Sequence, residues 1–100
     1  MVEGPVLIHV WTVDPDQESA CVSRLEALFA EEIRTDPGFV SARILESEDR
    51  TSIAAVIEMR SAEDRKRIQE LPNVTDTLGH LHGAANLVIR LYHEVGDYGT

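Results

Sequence analysis

The apolar positions at the start of the chain change spacing once, from a continuous run to a helical stripe. Residues 5–13 are β-branched and apolar on both faces apart from two polar members, one of them His9, which is typical of a strand buried on both sides. Asp14 is expected to be the N-cap of the helix that follows, with Pro15 in the first helical position. The apolar stripe predicts that this helix reaches about residue 35: Val22, Leu25, Leu28, Phe29 and Ile33.

Charged residues and breakers mark both ends of this predicted helix. Asp16 and Glu18 suit the positive N-terminal end of the helix dipole. Asp36 and Pro37 end the helix because the residue before a proline is pushed out of the helical region. Gly38 tolerates a positive φ, so the chain is expected to turn there.

The rest of the chain continues with strands, a charged helix and a final strand. Ser61 is the expected cap of the second helix, whose first turn is acidic. The predicted elements are, in order, strands 39–47 and 51–59, a helix over 61–70, a short helical turn over 73–81, a last strand over 84–95 and a flexible tail over 96–100.

The order β-α-β-β-α-β predicts an α+β fold of the ferredoxin-like type, with a four-stranded antiparallel sheet and both helices on one face. Several of the predicted strands are nevertheless apolar on both faces. An apolar sheet face left in water would be unusual for a monomer. We therefore expect a homodimer in which two copies join through their sheet faces.

Composition limits the class of protein. The length of 100 residues predicts one domain, with its core within residues 5–95. Lys and Arg number 9 against 18 Asp and Glu, a net charge of −9, which disfavours nucleic acid and anionic membranes as partners. Cys21 is the only cysteine, which excludes an internal disulfide. With no targeting or membrane-spanning segment in the sequence, we expect a cytoplasmic protein.

Several segments together resemble a known family. Residues 37–45 read PGFVSARIL, and they are followed by DRT at 49–51 and by MRSAED at 59–64. The opening segment at 7–15 reads LIHVWTVDP. Over residues 5–95 this pattern resembles the antibiotic biosynthesis monooxygenase family of dimeric α/β barrels.

The resemblance implies a cofactor-independent oxygenase that acts on aromatic polyketides such as anthrones, in a pocket between sheet and helices. In the polyketide-oxidising members, the pocket residues Asn, Asn and Trp fall at the positions of His9, Ala55 and Met59. A related branch degrades haem and ligates its iron through a helix histidine, near whose place His80 falls. The implied ligand is small, hydrophobic and aromatic.

Three residues are candidates for catalysis or substrate binding on the basis of their side chains and positions. His9 interrupts a buried apolar strand, and a histidine with a tuned pKa accepts a proton from an acidic substrate, although a satisfied core histidine is the alternative. Trp11 lies two residues on, on the same face, as an aromatic wall for a ligand or as a core residue. Tyr92 is a candidate hydrogen-bond donor to a phenolate oxygen or a residue of the dimer seam.

Two further candidates are weaker. His80 and His82 flank Leu81 at a spacing found in metal sites, but without a clear third ligand no metal site is assigned. His80 is instead expected at the mouth of a pocket. Cys21 has no adjacent base and is not expected to be a nucleophile.

The sequence thus predicts a small cofactor-independent monooxygenase of secondary metabolism, with His9 as the catalytic residue. Its substrate would contact Trp11, Ala55, Met59, His80 and Tyr92. Three alternatives stay open, namely a non-catalytic homodimer that binds a small ligand, a polyketide cyclase-like enzyme and a haem-degrading protein.

Overall fold

The described residues form four strands, three α-helices and one π-helical segment. The computed structural model describes residues 4–79 and 84–99. The elements are β1 (Val6–Val13), α1 (Glu18–Leu28), a π-helical segment (Phe29–Ile33) that continues α1, β2 (Phe39–Glu46), β3 (Ser52–Met59), α2 (Ala62–Gln69), α3 (Pro72–Gly79) and β4 (Ala84–Tyr92).

The strands form one antiparallel sheet in the order β2-β3-β1-β4. The two central strands, β1 and β3, are the most apolar segments of the sequence, because each is flanked by a neighbour on both sides. The predicted α+β ferredoxin-like fold is confirmed, with α2 and α3 occupying the place of its second helix.

Side chains of the central strands alternate strictly between two faces. On the inner face, which carries the helices, every residue of β3 is buried from Ile53 to Met59, and β1 buries Leu7, His9, Trp11 and Val13. The outer face carries the intervening residues, which are half-buried or exposed. This alternation decides which side chains can share a site.

The core lies between the inner face and the helices. α1 packs on β2, β3 and α3, and α2 packs on β3. Leu25 and Ile33 are fully buried in this layer, and burying a side chain of this size stabilises the fold by about 1.5–3 kcal/mol. The helices contribute the remaining buried apolar residues: Cys21, Leu28, Phe29, Ile68 and Val74.

The start of α1 differs from the prediction. Asp14 does not cap the helix, because its Oδ1 atom accepts the backbone N–H of Asp16 at 3.1 Å in a local turn. The backbone N–H of Gln17 donates to the carbonyl oxygen of Asp14 at 2.8 Å, which completes that turn. The helix begins only at Glu18, and Gln17 precedes it without a side-chain cap.

The end of the first helix also differs. Instead of an α-helix to residue 35, the chain forms a π-helical segment in which the N–H of Arg34 donates to the carbonyl of Phe29 at 2.8 Å. Gly38 does not adopt the expected positive φ. A Cβ there would lie 2.3 Å from Cγ of Asp64, so glycine is required for close packing.

The second half follows the predicted order with shifted boundaries. Ser61 caps α2 as expected, since its Oγ atom accepts the N–H of Asp64 at 3.1 Å. Pro72 does not merely end α2 but begins α3, a position that suits proline because its missing N–H would have no helical partner there. The last strand ends at Tyr92, and residues 93–99 have no regular secondary structure.

Candidate functional site

The candidate site is centred on His9, in the middle of the inner face. His9 pairs across the sheet with Ala55 of β3 on one side and with Ile89 of β4 on the other. Ala55 in turn pairs with Ile44 of β2. The imidazole is therefore the only polar side chain in a row that crosses all four strands.

His9 is buried without polar partners. Its side chain is 1% exposed, and neither Nδ1 nor Nε2 has a hydrogen-bond partner within the described part of the chain. Burial lowers the pKa of His9 from 6.5 to about 4, because desolvation penalises the charged ring. The ring is consequently neutral at physiological pH, with one donor and one acceptor nitrogen unused.

Trp11 lies on the same face of β1 as His9, as the strand alternation predicts. Its ring stacks on that of His9, with 5.5 Å between the ring centroids and 12° between the ring planes. Trp11 is 1% exposed, so the stack is closed to solvent in the free protein. The stack fixes the orientation of the imidazole and leaves its nitrogens at the edge of the ring pair.

Ala55 and Met59 lie on the same inner face as His9, but at different distances from it. Ala55 is its direct cross-strand neighbour and is fully buried in the core. Met59 lies four residues farther along β3, about 13 Å at the usual strand rise, where it pairs with Phe39. Met59 therefore lies beyond Ile57, at the opposite end of the sheet from Trp11.

One other expected contact, Tyr92, does not join this group. Tyr92 pairs with Val6 and lies on the outer face, where it is 45% exposed, so within one subunit it cannot contact a ligand bound at His9. The sequence pattern of β4 does not predict this face, because a bulge opposite residues 10–12 of β1 shifts the register of the strand. His80 and His82 lie outside the described residues.

Sequence reasoning missed a buried acid at the start of α1. Glu18 is 1% exposed, and a hydrogen bond with Glu46 raises the pKa of its carboxyl, as does burial. Its Oε2 atom is 3.9 Å from Nε of Arg50. The signal was present in the spacing, because Glu18, Cys21 and Leu25 follow the 3–4 period of the buried stripe.

Neither metal binding nor membrane insertion is indicated by the described residues. Within residues 4–79 and 84–99, His, Cys, Asp and Glu side chains form no group of three suited to hold a metal ion. The described helices include none with the length and apolar character needed to span a bilayer.

Comparison with solved structures identifies the fold. SnoaB, a cofactor-independent oxygenase from Streptomyces nogalater, superposes with a TM-score of 0.71 at 19% identity, over 93% of this chain and 94% of that one. Rv0793 from Mycobacterium tuberculosis superposes with a TM-score of 0.79 at 18% identity, over 96% and 100%. The fold is that of the antibiotic biosynthesis monooxygenases.

A further structure supports this identification. A candidate antibiotic biosynthesis monooxygenase from Nitrosomonas europaea is 21% identical to this chain, with a TM-score of 0.76 over 92% of this chain and 99% of that one. No family model matches the sequence, and no curated protein matches it. The resemblance seen in the sequence is thus confirmed at the level of the fold.

Proposed function

We propose that this protein is a cofactor-independent oxygenase of the antibiotic biosynthesis monooxygenase type, acting on a flat aromatic substrate of the polyketide class. The observation that carries the proposal is His9, a neutral imidazole buried on an otherwise apolar sheet face with both nitrogens unpartnered. A buried polar group without a partner costs stability, of the order of 1–3 kcal/mol. Such a cost is typical of groups kept for a ligand.

The surroundings of His9 suit an aromatic substrate. Trp11 stacks on the imidazole, and the small apolar side chain of Ala55 is its neighbour across the sheet. Buried apolar walls with one polar group are the usual composition of a small-molecule site. The polar group fixes the orientation of the substrate, and the walls contribute most of the binding free energy.

The proposed reaction is the oxidation of an anthrone-type methylene to a carbonyl. The unprotonated nitrogen of His9 accepts one proton from the methylene, which leaves a delocalised carbanion. The carbanion transfers electrons to O₂ and forms a carbon–oxygen bond. The peroxide so formed takes the proton back from His9, and loss of water then gives the quinone, so that substrate plus O₂ yields quinone plus H₂O.

The low pKa of His9 has a defined consequence for this reaction. The ring is a weak base in the free protein, since desolvation alone sets its pKa. The negative charge that develops on the substrate is expected to pair with the imidazolium and raise its proton affinity. For the free enzyme, kcat/KM is expected to be constant at neutral pH and to fall below about pH 4, where His9 becomes protonated.

Oxygen uptake with anthrone tests the proposal. The wild-type protein is expected to consume O₂ in the presence of anthrone, and His9→Ala is expected to lower kcat by at least 100-fold, in the usual range for loss of a general base. His9→Phe keeps a ring that can stack on Trp11 but cannot accept the proton, so it is expected to be equally inactive. Thr12→Ala, on the outer face of the same strand, is the matched control and should be unaffected.

A wild-type protein that consumes no oxygen with anthrone would contradict oxygenase activity. Binding of anthrone without turnover would then favour the non-catalytic ligand-binding protein, and a Soret shift on adding haemin would favour the haem branch. Oxygen uptake that is unchanged in His9→Ala would contradict the role of His9 alone.

We also infer that two copies associate through their outer sheet faces. The outer face exposes Val10, Leu45, Val88 and Tyr92, which lie on neighbouring strands. Light scattering at micromolar concentration is expected to give the mass of a dimer, and Val88→Asp is expected to give that of a monomer. A wild-type monomer under these conditions would contradict the association.

A further inference from the structure

A cavity lies on the far side of α1 from α3, between the C-terminal part of the first helix and the edge strand β2. We call it the helix–edge groove. Its volume is about 400 Å³, and His9 does not line it. The lining consists of an apolar floor with a charged residue from the helix on either side: Phe29, Ala30, Phe39, Ala42 and Ile44, with Glu26 and Arg34.

The π-helical segment shapes this groove. Its wider turn allows Leu28 and Ile33, five residues apart, both to be buried in the core. The residues between and after them, Ala30 and Arg34, are exposed and line the groove beside β2. Local π-helical turns are uncommon and frequently occur at functional sites.

The charges of the groove are arranged along its length. Glu26 and Arg34 are eight residues apart, about 12 Å along a helix axis, so they lie toward opposite ends. Arg34 forms no ion pair or side-chain hydrogen bond within the described residues, in contrast to Arg67, which contacts two carboxylates. A free guanidinium next to an apolar floor offers two parallel donors to a carboxylate.

We propose that the helix–edge groove binds a small amphipathic carboxylic acid, with its apolar body on Phe29, Phe39 and Ile44 and its carboxylate on Arg34. The volume is within the range of small-molecule sites. The groove opens on the helix side of the sheet, so association through the outer faces leaves it accessible. The proposal does not depend on oxygenase activity at His9.

Titration of the full-length protein with 2-naphthoate tests this proposal, with backbone amide NMR shifts as the readout. We expect saturable shifts in residues 29–34 and 39–44. Arg34→Gln is expected to weaken binding roughly 10-fold or more, the usual effect of losing a charge-assisted hydrogen bond. Arg24→Gln is the matched control because Arg24 is on the same helix but lines a different groove, on the side of the helix that faces α3. This control is expected to change the affinity less than 2-fold.

A second variant and a neutral ligand separate the contributions of shape and charge. Ala30→Phe fills the groove at an exposed helix position, and it is expected to weaken 2-naphthoate binding at least 10-fold without altering charge. 2-Naphthalenemethanol is expected to bind wild type as weakly as 2-naphthoate binds Arg34→Gln. Absence of saturable binding at millimolar ligand, or equal weakening by Arg24→Gln, would overturn the proposal. Shifts confined to the surroundings of Trp11, the one tryptophan of the chain, would overturn it as well.

Discussion

Two regions of this molecule depress the pKa of a side chain for opposite reasons. His9 is buried and has no partner, and desolvation alone lowers its pKa. Between the end of the first helix and α2, Asp36 and Asp64 both contact Arg67, and hydrogen bonds lower the pKa of each carboxyl. The pKa of His9 is low because the fold buries the ring without a partner. The pKa values of Asp36 and Asp64 are low because the fold stabilises their charged forms.

We call the cluster of Asp36, Asp64 and Arg67 the paired corner, and its contacts stabilise the fold. Oδ1 of Asp36 accepts the N–H of Gly38 at 2.8 Å, and Asp64 accepts the hydroxyl of Ser61 at 2.8 Å. Arg67 contacts both carboxylates and thereby joins the end of the long helix to α2. The contacts of Asp36, Asp64 and Arg67 have a structural role, whereas the His9 ring has no hydrogen bond. His9 is therefore the more informative residue for function.

The largest effect is expected from removing the ring that covers His9. Trp11→Ala leaves a cavity in the core and is expected to lower the free energy of unfolding by about 3–5 kcal/mol. Water entering the cavity should raise the pKa of His9 from about 4 toward 6.5. Denaturant unfolding and NMR titration of His9 measure the two effects. The exposed Thr12→Ala should change stability by no more than about 0.5 kcal/mol, and an unmoved His9 pKa in Trp11→Ala would show that Trp11 does not desolvate the ring.

The next effect concerns acid stability. The folded-state pKa of His9 is about 4 against 6.5 unfolded, so the unfolded chain binds more protons between these values and stability falls as the pH drops through them. This single group is expected to remove about 3 kcal/mol between pH 7 and pH 4, at about 1.4 kcal/mol per pKa unit.

His9→Leu is expected to abolish that part of the pH dependence and to be at least as stable as wild type at pH 7, because it removes two unsatisfied polar atoms. Denaturant unfolding at half-unit pH steps provides the measurement. An unchanged slope between pH 6.5 and pH 4 in His9→Leu would show that His9 has partners in solution.

A smaller effect is expected at the paired corner. Arg67 is 47% exposed, so solvent screens its ion pairs and Arg67→Gln is expected to lower stability only slightly, and less still at high salt. The lowered folded-state pKa values of Asp36 and Asp64 give stability that is present above the unfolded value of 3.8 and lost as the pH falls through them. The variant should therefore flatten the stability profile below about pH 4, as measured by acid unfolding. Lys66→Gln, at the exposed neighbouring position, is the control, and an equal loss there would argue against a specific pairing.

The last prediction concerns the direction, not the magnitude, of the change in stability when Glu18 is replaced. The pKa of Glu18 is raised, so its stabilising contribution is full below the unfolded pKa and is lost as the pH rises through the folded value. Glu18→Gln is expected to be more stable than wild type at neutral pH, with the difference vanishing in acid. Thermal unfolding across this range measures it, with the exposed first-turn acid of α2 substituted as Glu63→Gln for comparison. A variant less stable at pH 7 would show that the contact with Arg50 outweighs burial.

The order of the elements, the antiparallel sheet and the face that His9 shares with Trp11 could be predicted from the sequence. These follow from local rules, because a strand alternates with a period of two and a helix buries every third or fourth residue. The resemblance to the oxygenase family rested on the same local segments, and it held at the level of the fold.

The surroundings of each candidate functional residue became known only from the folded structure. The stack of Trp11 on His9, the outer position of Tyr92 and the burial of Glu18 depend on register, on a bulge and on contacts between residues distant in sequence. The π-helical segment that shapes the helix–edge groove likewise arises from how the long helix fits the sheet. A pattern along one strand or helix predicts which residues share a face. The partners of each residue lie on other elements, which that pattern does not include.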